Sequence, residues 1–185
     1  MSLVPFGTQF YRPSYVAALA EGFRMVGDES FSAEQLSAAA AAPDGFFADH
    51  PTPSLDVKLP NGTTIPRPPT TAMWWIGEAE FVGSIYLHHE LDPYFVAKYV
   101  GHVVYAVRPS HRNKGHATRM LCAILPLASS LGFRQLSLCV RASNAASRRV
   151  IEANGGSLMD EVHIPYDRNG ELMRRYVIDI GGRNA

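Results

Sequence analysis

The chain has 185 residues and 20.3 kDa, with 17 basic and 17 acidic side chains and a pI near 7.1. Domains run to roughly 100–200 residues, so a single domain over residues 1–185 is expected. Hydrophobic residues at 46% against 18% charged supply a core and exclude a disordered chain; zero net charge excludes broad electrostatic capture of nucleic acid or anionic lipid.

Two cysteines, Cys122 and Cys139, are too few for a disulfide framework, which points to a reducing, cytoplasmic setting. Residues 1–11 lack a basic stretch followed by an apolar core, so no signal peptide is expected. The longest uncharged apolar stretch, 120–133, holds Pro126 and falls short of the roughly 20 residues that a membrane span needs.

In chain order, Tyr15, Leu19 and Phe23 share one helical face after Pro13-Ser14. Ser32 followed by Gln35 is a capping-box pattern, opening a helix through Leu36 and the alanines 38–42 that Pro43 should stop. Seven of the thirteen prolines fall in 43–69, which reads, to residue 72, as an irregular connection inside the domain. Residues 72–76 and 81–88 form a hairpin around 77–80, and 102–107 is a further strand ended by Pro109. Residues 115–131 carry Leu121, Ile124, Leu125 and Ala128 at helical spacing, with Pro126 expected to kink the helix. A strand over 134–140, a helix over 145–153 ended by Asn154-Gly155-Gly156, and strands over 157–165 and 172–180 complete a mixed α/β layer. Cys122 and Cys139 are expected to be buried, and Trp74-Trp75 to send one ring inward and one to the surface. Neighbouring strand residues face opposite ways, so His88 and His89 do not share a metal ion, and no metal is expected.

The stretch richest in chemistry is 104–118: a strand, a basic turn (Arg112, Asn113, Lys114, Gly115), then a helix opening His116-Ala117-Thr118. Such a turn presents backbone N–H groups at the positive end of the helix dipole, a site for phosphate. Gly115 lets the backbone approach an anion, Ala117 keeps the first turn uncrowded, and Arg112 and Lys114 add charge. Neither Gly-x-x-x-x-Gly-Lys-Ser/Thr nor Gly-x-Gly-x-x-Gly occurs.

Arg112-x-x-Gly115-x-Ala117 behind a strand resembles the signature of the GNAT superfamily of N-acetyltransferases. A second element follows in order: a strand, then Asn144-Ala-Ala-Ser147-Arg148 opening a helix closed by Gly155-Gly156. Residues 59–60 through Gly101-His102, with Arg174-Arg175-Tyr176, look like the superfamily's uncharacterised "predicted acetyltransferase" branch. The resemblance implies a mostly antiparallel central sheet with a splayed parallel strand pair and helices on both faces. It implies acetyl-CoA as co-substrate: its diphosphate on residues 112–118, its pantetheine along Tyr105 and Val107, with Asn144, Ser147 and Arg148 touching its arm or nucleotide.

In many members a tyrosine seven residues after the opening Asn acts as general acid; here that slot is Ile151, and the usual aromatic after the glycine is Gly156. The glutamate base of some members corresponds to Gly101 and His102. His102 is therefore the first candidate base, Glu90 and Asp92 the second, and Tyr105 a candidate acid. The function expected is acetyl transfer to the primary amine of a small molecule or peptide, the resemblance also allowing a homodimer. The empty acid slot keeps a non-catalytic acyl-CoA-binding domain as the alternative. The acceptor regions, 13–43, 43–72 and 160–176, mix carboxylates (Glu21, Asp28, Glu29, Asp160, Glu161) with Arg24, Arg174 and Arg175, so their signs conflict.

Overall fold

The computed structural model describes residues 1–25, 31–49, 56–58, 64–66, 68–91, 100–163 and 171–181. Its elements are β1 (Ser2–Pro5), α1 (Arg12–Ala20), α2 (Ala33–Ala41), α3 (Pro43–Asp49), β2 (Asp56–Lys58), β3 (Thr64–Pro66), β4 (Thr70–Ile76) and β5 (Phe81–His88). They continue with β6 (Val103–Val107), α4 (His116–Ser130), β7 (Gln135–Arg141), α5 (Ala145–Ala153), β8 (Gly156–His163) and β9 (Leu172–Asp179). Strands β1-β4-β5-β6 form one antiparallel sheet and β7-β9-β8 another, while β2 and β3 pair apart.

Two stretches differ from the sequence reading. β1 is not among the elements read from the sequence, yet Leu3 and Val4 pair opposite Trp75 and Trp74 of β4. A four-residue edge strand exists only through a partner some seventy residues away, so no local pattern announces it. Within 43–72, Pro43 ends α2 and also opens α3, because a residue without an N–H fits the first helical turn, where that donor has no partner. The short hairpin β2–β3 also falls in this stretch.

The four-stranded sheet is covered on both faces, and every residue of β5 is buried. Under α4 lie Trp75, Val82, Ile85, Leu87 and Val103, packed on Met120, Leu121, Ile124 and Leu125. Each of those helix side chains, fully or nearly buried, stabilises the fold by roughly 1.5–3 kcal/mol relative to exposure. Under α1 and α3 lies an aromatic cluster: Tyr15 stacks on Trp74 at 4.9 Å, and Phe23 and Tyr15 meet Phe81 edge-on at 4.9 and 5.0 Å. Trp74 and Trp75 thus occupy two different cores at 0% and 4% exposure. The expectation of one surface ring fails because helices cover both faces. Cys139 is half-buried, but Cys122 lies exposed on the outer side of α4, away from the stripe formed by Met120, Leu121, Ile124 and Leu125. α4 continues through Pro126, which sits on that exposed side. No helix among the described residues is long and apolar enough to cross a membrane.

Candidate active site

The two larger sheets part between β6 and β7. One backbone bridge joins them, Gly101 to Leu138, antiparallel in its local bonding at a left-handed glycine (φ +79°) that leads the chain into β6. A Cβ there would meet the Ser137 carbonyl oxygen at 2.5 Å, so only glycine allows this approach. Next to it His102 clamps the junction: its N–H donates to the Ser137 carbonyl at 2.7 Å, and Ser137 N–H donates back to the ring Nδ1 at 2.8 Å. Further along, Tyr105 reaches α5, donating its hydroxyl to the Ser147 carbonyl at 3.3 Å. Residue 102 thus lies beside 137 of β7 and residue 105 beside 147 of α5, so the neighbour of β6 changes from a strand to a helix along its length.

The bonding parity of β6 determines which groups face that opening. His88 N–H donates to the His102 carbonyl at 2.8 Å and Arg108 N–H to the Val82 carbonyl at 2.9 Å. Even-numbered residues of β6 therefore spend their backbone groups on β5, and those of Val103, Tyr105 and Val107 turn away from it. The Val107 carbonyl takes a bond from Arg112 Nε at 3.1 Å.

Beyond β6, the turn is built by two left-handed residues, Asn113 (φ 60°) and Gly115 (φ 73°), and α4 begins on Gly115 with no side-chain cap. The first intrahelical bond runs from Arg119 N–H to the Gly115 carbonyl at 3.2 Å. Among the described residues the amides of Lys114 through Thr118 have no hydrogen-bond acceptor, so a cluster of donors opens at the positive end of the helix. The Arg112 amide is engaged by the Pro109 carbonyl at 3.3 Å, and Lys114 Nζ donates to the Ser110 carbonyl at 3.0 Å. His116 does not present its ring to this opening. It is 6% exposed, and its Nδ1 accepts from Trp75 Nε1 at 3.5 Å and Arg119 at 3.2 Å. Burial, then the Arg119 charge, lower its pKa and keep the ring neutral.

Across the opening, Asn144 caps α5 by accepting from Ser147 N–H at 3.0 Å, and Arg148 Nε is buried without a hydrogen-bond partner among the described residues. Asn154 ties α5 to α4 through the Thr118 carbonyl at 3.2 Å. Ile151 is 2% exposed in the main core, and a Cβ on Gly156 would lie 2.3 Å from its Cγ2. The two departures noted in the sequence are thus one packing event: the chain after α5 passes so close to Ile151 that only glycine fits.

Four side chains were expected at the reacting centre. His102 is half-buried, with burial lowering its pKa; because Nδ1 accepts from Ser137, Nε2 carries the ring proton. Burial pushes the Tyr105 hydroxyl up to about 12. Glu90 is exposed just past β5, and Asp92 lies outside the described residues.

Residues 37–155 match the Acetyltransferase (GNAT) family. The chain belongs to that family. It is an acetyltransferase, and acetyl-CoA is its acyl donor. Similar solved structures span almost the whole chain. A chimera of spermidine N-acetyltransferase from Vibrio cholerae and hSSAT shares 12% identity at a TM-score of 0.59, covering 97% of each chain. A ribosomal L7/L12 alpha-N-protein acetyltransferase in complex with coenzyme A shares 14% at 0.60, covering 98% of this chain and 96% of that one. A putative acetyltransferase from Salmonella typhimurium with its cofactor acetyl-CoA shares 12% at 0.55, covering 100% and 96%. At such identities the likeness is one of fold. No curated protein matches the sequence. The residues present suit a CoA arm: open amides at a helix start for a diphosphate, and an unpaired strand edge for a chain of amides.

Proposed function

We propose that this GNAT acetyltransferase moves the acetyl group of acetyl-CoA to the primary amine of a small molecule or peptide by direct attack. The observation that carries the reading is two groups of backbone donors without partners among the described residues, one on the β6 edge at Tyr105 and Val107 and one at the amides of residues 114–118. Gly115, Ala117, Thr118 and the backbone around Asn113, Lys114 and His116 hold the diphosphate, with Arg112 and Lys114 adding charge. Tyr105 and Val107 hold the pantetheine, and Asn144, Ser147 and Arg148 line its far side. Bound acetyl-CoA supplies the activated thioester; β6 amides turned into the opening stabilise charge developing on its carbonyl oxygen.

Proton handling follows from the side chains. A phenol held near 12 is a weaker acid than an ordinary thiol, whose pKa is about 8.5, so Tyr105, on releasing the Ser147 carbonyl, would hydrogen-bond a departing thiolate rather than protonate it. His102 would have to release Ser137 to accept a proton at Nδ1, which favours a positioning role at the strand junction. Glu90, open to water, is the freer base for the ammonium proton.

Several carboxylates in the acceptor regions are engaged: Glu21 with Arg108, Glu161 with Arg174 at 2.7 Å, and Asp160 with Arg175. These pairs favour an acceptor with one amine over a polycation; Asp28 and Glu29 lie outside the described residues. We place the reaction in the cytoplasm on the free cysteines. Thiol release from acetyl-CoA, dependent on an added amine, tests the reading across a panel of amines and peptide N-termini. Calorimetric binding of acetyl-CoA without turnover across that panel would count against it.

A further inference from the structure

The turn that carries the free amides is anchored by a charge network built around one buried arginine. Arg108, the first residue after β6, is 9% exposed, and all three of its guanidinium nitrogens donate hydrogen bonds. Nε and NH2 donate to Glu21 Oε1 at 2.9 and 2.5 Å, and NH1 donates to Ser14 Oγ at 3.1 Å and the Phe81 carbonyl at 3.3 Å. The second oxygen of Glu21 accepts from Ser110 Oγ at 2.7 Å, inside the turn itself. Glu80 repeats the device, with Oε2 at 3.4 Å from Arg108 and Oε1 at 3.0 Å from His111 Nε2. Residues 108, 110 and 111 are thereby held to two carboxylates carried by other parts of the chain, one just past α1 and one in the β4–β5 turn.

The sign of the charge is what makes this informative. A carboxylate behind an anion-binding turn lowers the local potential and opposes a bound diphosphate. Unless geometry outweighs that cost, Glu21 works against the donor site. We infer that Glu21, through Arg108 and Ser110, is a positioning residue for acetyl-CoA, holding the turn in the conformation that aims its amides at the diphosphate; this rests on the donor-site reading above. Position and electrostatics predict opposite outcomes for one substitution. Glu21→Gln removes a negative charge, so field alone predicts tighter binding, whereas loss of alignment predicts weaker binding.

The experiment is calorimetric titration of wild type, Glu21→Gln and Ser110→Ala with acetyl-CoA, set beside S-acetylpantetheine, which lacks the diphosphate. Glu21→Gln is expected to weaken acetyl-CoA roughly tenfold, and Ser110→Ala, which keeps the ion pair, about threefold, with S-acetylpantetheine unchanged. Glu161→Gln, breaking an ion pair on the other sheet, serves as control and leaves both affinities alone. Unchanged or tighter acetyl-CoA binding in Glu21→Gln, or equal weakening of both ligands, overturns the inference. Failure of the wild type to bind acetyl-CoA overturns the donor-site reading, and this inference with it. If Glu21→Gln does not fold, Ser110→Ala decides alone.

Discussion

The starts of α2 and α4 solve one physical problem in opposite ways. α2 opens with a complete capping box: Ser32 accepts from Gln35 N–H at 3.1 Å, and Gln35 returns the bond to Ser32 N–H at 2.8 Å. α4 opens on a left-handed glycine with no side chain to cap anything, and its amides stay free. Four unsatisfied donors at a helix start are ordinarily a cost. At α4 they are left bare while ion pairs to the buried Arg108 hold the preceding turn, and the proposed function gives these donors to a ligand. α5 lies between the two: Asn144 satisfies one amide through its side-chain oxygen, while its side-chain Nδ2 has no partner among the described residues.

The comparison breaks most sharply at Gly115. Gly115→Asp places a carboxylate beside the free amides and an L side chain at φ 73°, and is expected to weaken acetyl-CoA by about 100-fold or more. The strain of a left-handed Asp costs only about 1–2 kcal/mol, so calorimetry on a protein that still melts cooperatively separates lost binding from lost fold. Ser32→Ala supplies the opposite case. It should cost about 1 kcal/mol of stability in thermal unfolding and leave acetyl-CoA affinity unchanged, because the α2 amides serve only the fold. An altered affinity there would erase the distinction. Asn144→Ala should do both, losing about 1 kcal/mol and weakening acetyl-CoA a few-fold.

The smallest expected effect is on pH dependence. His116 and His102 both have folded pKa values lowered by burial, so the unfolded chain takes up protons that the folded one resists. Their contribution is complete above the unfolded value of about 6.5 and falls away as pH drops through it. Urea midpoints between pH 7.5 and 5.5 should fall with pH, and His116→Gln should flatten the slope. Glu21 has the usual carboxylate sign: Arg108 holds its carboxyl down at about 2, so its contribution is lost only from about 4.5 toward 2.

Local signals were sufficient for much of the frame. The capping box at Ser32, the helix over 145–153, the β4–β5 hairpin and the Arg112–Ala117 turn are written in short-range chemistry, and the structure places each where that chemistry puts it. What the local pattern hid needs partners distant in sequence. β1 forms because β4 offers it an edge; Trp75 is buried because α4 returns over the sheet; Cys122 is exposed because of where α4 turns its apolar stripe.

The candidate site divides along the same line. Backbone conformation and charge near Gly115 are properties of a short peptide, so a turn of this shape can be read from six residues. The roles of side chains such as Glu21, His102 and Ile151 depend on what lies against them. Arg108 meets Glu21 from 87 residues away, Ser137 engages the Nδ1 lone pair of His102, and Gly156 closes on Ile151, none of which a local pattern announces. Sequence alone determined which turn leaves its amides open before a helix, because dihedral preferences and helix geometry act locally. The tertiary structure decided which charges and lone pairs remain free, because a polar group is used up only by the partner that folding brings to it.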